Sequence, residues 1–148
     1  MRFMMLMIPT GYEKAQPQAA PPPEAIEMMM KYNDSLRKAG VLLSLDGLHP
    51  PAKGVRLSRA GGKLKVTDGP FAETKEALGG YWILQVKSKE EAIEWASRCP
   101  AVQPYAPDGV ATIELRQLQE LTDFSPDAQK VVEKYPELAK LAANQPGR

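Results

Sequence analysis

The sequence has little of the chemistry from which metal and redox sites are built. Its 148 residues include one cysteine, Cys99, and one histidine, His49. A single thiol cannot close an internal disulfide or build a cysteine-rich zinc site. One imidazole excludes a His–His metal motif, so neither metal nor cofactor is expected. An excess of one charge is also missing: nineteen Lys/Arg stand against eighteen Asp/Glu, a net charge of +1. A dedicated nucleic-acid binder usually carries a strong basic excess, and no direct nucleic-acid partner is expected. No apolar run reaches about 18 residues, which argues against a membrane span. Residues 1–8 are apolar but too short for a signal peptide. What remains is a globular composition, 43% hydrophobic and 25% charged, in a chain of one domain's length. A soluble, cytoplasmic protein is the expectation.

Proline, by contrast, is abundant, at 14 residues. Residues 10–23 (TGYEKAQPQAAPPP) hold four of them and almost no large apolar group, which reads as a mobile loop or extended linker, placed where a lid could sit. Residues 100–108 (PAVQPYAPD) form a second proline-rich connection, and residues 144–148 look frayed.

Between these connections two units repeat one order of elements. Residues 2–8 (RFMMLMI) are apolar apart from Arg2, the mark of a strand covered on both faces. Residues 23–39 follow as a helix, with Ile26, Met29, Met30 and Leu36 sharing a face and Gly40 at the C-terminal cap. In residues 41–48 (VLLSLDGL), Val41, Leu43 and Leu45 alternate against Ser44 and Asp46. The second unit starts with a strand at residues 81–87 (YWILQVK). A helix over residues 89–99 comes next, opened by a Ser88/Glu91 capping box, with Ala92, Ile93, Trp95, Ala96 and Cys99 inward. Residues 112–117 (TIELRQ) close the unit, with Ile113 and Leu115 opposed to Thr112, Glu114 and Arg116. The order is βαβ, an insertion, then βαβ, which predicts an α+β fold: a ferredoxin-like split βαβ sandwich with an antiparallel sheet and both helices on one face.

The insertion reads as a hairpin, in which Val55 and Leu57 precede a Gly61-Gly62 turn and Leu64 and Val66 follow it. Its basic residues, Lys53, Arg56, Arg59, Lys63 and Lys65, lack stacking aromatics and a Gly-rich loop, so edge protection explains them more cheaply than phosphate binding. After residue 117, Ser125-Pro126 opens a helix that Pro136 interrupts.

One stretch is distinctive. Residues 66–100 contain Asp68-Gly69-Pro70-Phe71, then Glu73-Thr74-Lys75-Glu76, then Gly79-Gly80-Tyr81 opening a strand. With the Ala92–Ala96 helix segment and the Ile113–Arg116 strand, this resembles the DGPF, or YCII-related, family across residues 2–117. The resemblance implies a YCII-related (DGPF) domain over residues 1–117 and a C-terminal helical extension over residues 118–148. It also implies a homodimer of the dimeric α/β-barrel type, with sheets packed face to face, and brings no defined activity. Some members of the family carry a His–Asp pair with the histidine just after the first strand. Here that loop is Pro9-Thr10-Gly11-Tyr12-Glu13, and the pair does not carry over.

The candidate site residues follow from residue type and position. Turn chemistry accounts for all four of Asp68-Gly69-Pro70-Phe71, while a carboxylate on a rigid turn also suits a general base. His49, at a strand end, is the one side chain whose ordinary pKa lies near neutrality. His49 and Asp68 are therefore the catalytic candidates. Glu73, Lys75 and Glu76 read as solvated charge or as a carboxylate–ammonium group facing a ligand. A Schiff-base role for Lys75 needs a desolvation that its polar neighbours do not promise. Glu114 and Arg116 share a strand face with Thr112. They meet water in a lone chain, but in a face-to-face dimer they would line a cavity and hold one another or a polar ligand, with Gln85 nearby. The expected function is small-molecule binding in a pocket at or near the dimer interface, with cofactor-independent acid–base chemistry. The alternatives are a non-catalytic ligand-binding or regulatory dimer linked to transcription control, and an interaction module acting through the C-terminal helices.

Overall fold

A computed structural model of the chain describes residues 1–104, 106 and 109–143. The end at 144–148 and residues 105, 107 and 108 of the second proline-rich connection lie outside the described residues. The main elements are β1 (Arg2–Pro9), α1 (Pro23–Lys38), β2 (Leu42–Gly47), β3 (Val55–Ala60), β4 (Lys63–Asp68), β5 (Gly80–Gln85), α2 (Lys89–Ser97), β6 (Ala111–Gln117), α3 (Pro126–Glu133) and α4 (Pro136–Ala143). Four strands form a sheet in the order β2-β5-β1-β6, with every neighbouring pair antiparallel. Each βαβ unit thus has a strand of the other unit between its own two. This α+β arrangement, with antiparallel sheets and four helices among the described residues, is compatible with the ferredoxin-like fold. No helix among them is long and apolar enough to cross a membrane.

The core lies between the sheet and the first two helices. Phe3 and Met5 of β1, Trp82 and Leu84 of β5, Tyr32 and Leu36 of α1 and Ala92 and Ala96 of α2 form one buried cluster with Cys99. Complete burial of a side chain such as Met5, Leu36 or Leu84 is worth about 1.5–3 kcal/mol. Polar anchors orient the aromatics: the Trp82 indole donates to Asn33 Oδ1 at 2.8 Å, and the Tyr32 hydroxyl donates to the Trp95 carbonyl at 2.8 Å.

Three details depart from the simple periodic reading. The inward face of α1 is built from Tyr32, Asn33 and Leu36, with Met29 packed alongside, whereas Ile26 and Met30 are exposed. On α2, Ile93 is exposed while Ala92 and Ala96 are buried. A β-bulge between Leu42 and Ser44 breaks the alternation of β2, so Leu42 faces Leu84 and Ser44 faces Ile83; the extra residue in the bulged strand resets its side-chain parity.

Among the described residues, strands β3 and β4 pair only with each other, around a Gly61-Gly62 turn whose residues both have positive φ, 58° and 78°, the conformation a two-residue hairpin turn demands. The segment beyond β6 is tied back to the sheet: the Arg2 guanidinium donates to both Glu120 carboxylate oxygens at 2.9 and 3.0 Å, and the Leu118 amide donates to the Arg2 carbonyl. Helices α3 and α4 leave Val131, Leu138 and Leu141 exposed, as is Tyr135 between them.

Candidate functional site

Three connecting segments converge at one end of the chain. The first half of the proline-rich loop makes a helical turn at Tyr12–Lys14, and it is anchored: the Tyr12 hydroxyl donates to the Leu48 carbonyl, and Thr10 Oγ1 donates to the Val110 carbonyl. Burial raises the Tyr12 phenol above its ordinary pKa, which keeps it a donor. Composition gave no sign of this anchor, because one aromatic residue supplies it. The second segment is the Pro51–Lys53 turn between β2 and β3. The third runs from Asp68 to Thr74.

The Asp-Gly-Pro-Phe turn locks the second segment to the third. Its Gly69-Pro70 peptide is cis, and the Gly69 amide donates to the Gly54 carbonyl at 2.8 Å. A Cβ at position 69 would lie 1.7 Å from the Pro51 carbonyl oxygen, so only glycine lets the two backbones meet. Phe71 then turns its ring under Arg56, whose guanidinium carbon stands 3.9 Å from the ring centroid. The same guanidinium donates from Nη2 to Thr74 Oγ1 at 2.7 Å.

Between these segments opens a cleft of about 620 Å³. Glu13, Lys14 and Gln16 supply its polar wall, Ala15, Pro17 and Ala52 an apolar one, and Pro70, Phe71, Ala72 and Thr74 the side given by the turn. Arg56 is not itself a lining residue and meets the cleft through Phe71 and Thr74, which are; a stacked, hydrogen-bonded arginine is an oriented cation.

The residues singled out from sequence fall in three places. His49 and Asp68 are both exposed, and no hydrogen bond or ion pair joins them. Glu73, Lys75 and Glu76 are exposed and flank Thr74 without lining the cleft. Glu114 and Arg116 lie on the sheet face opposite the helices, with Arg116 Nε 3.9 Å from Glu114 Oε1 and both side chains open to water in the single chain. Gln85 shares that face, but β1 stands between it and β6. Arg56, Phe71, Thr74 and Lys14 were not singled out as ligand contacts. From sequence Arg56 is one of five hairpin cations, and the 14 residues between Arg56 and Phe71 give no periodic signal.

Comparison with known proteins adds two findings. The family model of the YCII-related domain matches residues 1–119. A protein of Rhizobium meliloti (strain 1021), Uncharacterized protein R00369, is 39% identical over 59 residues, which is 40% of this chain and 48% of that protein. The match thus spans about half the length of this curated relative.

Proposed function

The chain belongs to the YCII-related domain family, and from that premise we propose that it works as a homodimer binding a small monocarboxylate in the cleft between the Tyr12–Lys14 turn, the Pro51–Lys53 turn and the Asp-Gly-Pro-Phe turn. The observation that carries this reading is the guanidinium of Arg56, which does not itself line the cleft but is fixed against two residues that do, Phe71 at 3.9 Å and Thr74 at 2.7 Å, in a cleft of ligand size. A planar guanidinium held in one plane meets a planar carboxylate with two parallel hydrogen bonds. Lys14 adds a second cation, Pro17, Ala52, Pro70 and Phe71 suit an apolar body, and Glu13 on the same wall opposes a second negative charge.

Binding is preferred over turnover. His49 and Asp68, the acid–base candidates, are exposed and unjoined in the single chain, so they form no acid–base pair there. A non-catalytic ligand-binding dimer is the form this favours.

Isothermal titration of the full chain with benzoate tests the reading. Saturable binding is expected, weakened about tenfold or more by Arg56→Ala and only partly restored by Arg56→Lys, which has the charge without the fork. Inorganic phosphate should bind more weakly than benzoate. Absence of saturable benzoate binding, or binding indifferent to Arg56→Ala, would overturn the proposal.

A further inference from the structure

The β3–β4 ribbon is thinly supported by the rest of the chain. Two strands alone are at best marginally stable in water, yet this pair joins no other strand among the described residues. Its two faces differ. The register sets Val55 opposite Asp68, Leu57 opposite Val66 and Arg59 opposite Leu64 on one face, with Arg56, Ser58, Lys63 and Lys65 on the other. The first face carries four aliphatic side chains, Val55, Leu57, Leu64 and Val66, that are 52%, 63%, 59% and 60% exposed.

The charges at the ends of this face identify its occupant. Asp68 stands at the base of the ribbon and Arg59 at its tip, roughly 14 Å apart along the strands and too far to pair within one chain. Turning a second ribbon end for end over the first brings each Arg59 to the other copy's Asp68 and lays Leu57 and Val66 over their own counterparts. The face is complementary to itself about a twofold axis, the condition for a closed isologous contact. The opposite face is basic and would repel a third ribbon, so stacking ends at two.

We propose that the β3–β4 ribbon is a self-association arm, its Val55/Leu57/Leu64/Val66 face packed on the same face of a second copy with Arg59–Asp68 ion pairs at both ends. From strand rise and spacing the face covers about 200 Å², against about 800 Å² per partner in a typical stable interface. The arm therefore reinforces an assembly held elsewhere too. In that respect alone it rests on the homodimer reading, and it is independent of the cleft.

Oxidative cross-linking of full-length variants tests it. Cys99 is completely buried and does not compete. Leu57→Cys should form an intermolecular disulfide, and Ser58→Cys, on the other face, should not. In sedimentation equilibrium Arg59→Asp should weaken association about tenfold, and combining it with Asp68→Arg should restore it. Wild-type protein that self-associates while the two cysteine variants cross-link alike, or a charge swap that fails to restore association, would overturn the arm and leave the homodimer reading standing. A wild type that is monomeric throughout would overturn both.

Discussion

The Gly69 amide and the Pro51 carbonyl show how much one atom decides at the residue scale. With a methyl group at 69 placed 1.7 Å from that oxygen, one of the two backbones must move, and the Gly69–Gly54 hydrogen bond at 2.8 Å moves with it. Gly69→Ala is expected to destabilise the chain by about 2–3 kcal/mol, the upper part of the overpacking range, and to loosen the cleft; denaturant melts measure the first effect and benzoate titration the second. Cys99 gives a second residue-scale expectation. Burial pushes its thiol from 9.0 up to about 11, with a hydrogen bond from the Ala101 backbone opposing in part. Between those values the unfolded chain has released a proton that the folded chain still holds, so stability falls as pH rises through that window, by roughly 2–3 kcal/mol. Tyr32 is raised chiefly by burial and then by the neighbouring Cys99, with Arg98 opposing, and acts in the same direction. Melts at pH 8, 9, 10 and 11 should show this decline, and Cys99→Ala should flatten it.

At the element scale, α1 is held to β5 by one polar contact inside an apolar layer. Asn33 and Trp82 are both buried, and the indole N–H is the partner of Asn33 Oδ1. Trp82→Phe leaves that oxygen without its donor and should cost about 3 kcal/mol, an unmet polar group added to lost packing. Trp82→Phe with Asn33→Leu should recover part of the loss, read as a non-additive cycle in denaturant melts. The same pair shows why the elements were legible from sequence and their faces less so. Helix α1 was bounded by Pro23 and Gly40, residues whose backbone preferences act locally. Apolar type alone puts Ile26, Met29, Met30 and Leu36 on its inward face; Leu36 and Met29 pack there, but tertiary contact replaces Ile26 and Met30 with Tyr32 and Asn33, whose polar atoms have partners on α2 and β5. The bulge in β2 was invisible for a related reason: an inserted residue changes parity without changing composition. The cleft was legible only as a turn, since the Arg56–Phe71 stack joins residues that only the fold brings together.

For the molecule as a whole, the unsettled surface is the sheet face away from the helices. Met4, Leu6 and Ile8 of β1 lie there, with Ile83 and Arg116 beside Met4 and with Tyr81 and Glu114 beside Leu6. An apolar stripe on the central strands, bordered by charge on the edge strand β6, is what a second sheet would cover. Homodimerisation through this face predicts a light-scattering mass near twice 16.3 kDa. Leu6→Asp, which would put a carboxylate into the middle of the covered stripe, should give a folded monomer. Glu114 and Arg116 then report on the same event from beside the stripe. In the single chain they are largely open to water and 3.9 Å apart, a separation and exposure at which a pair contributes under about 1 kcal/mol. Covered by a partner sheet, the two charges lose their solvation together, and removing one strands the other. Arg116→Ala should therefore destabilise the wild-type dimer by about 3–5 kcal/mol at a fixed protein concentration. In the Leu6→Asp monomer the same substitution should stay within about 0.5 kcal/mol. Equal and small effects in both backgrounds would show that this face meets water, and the homodimer reading would lose its main interface.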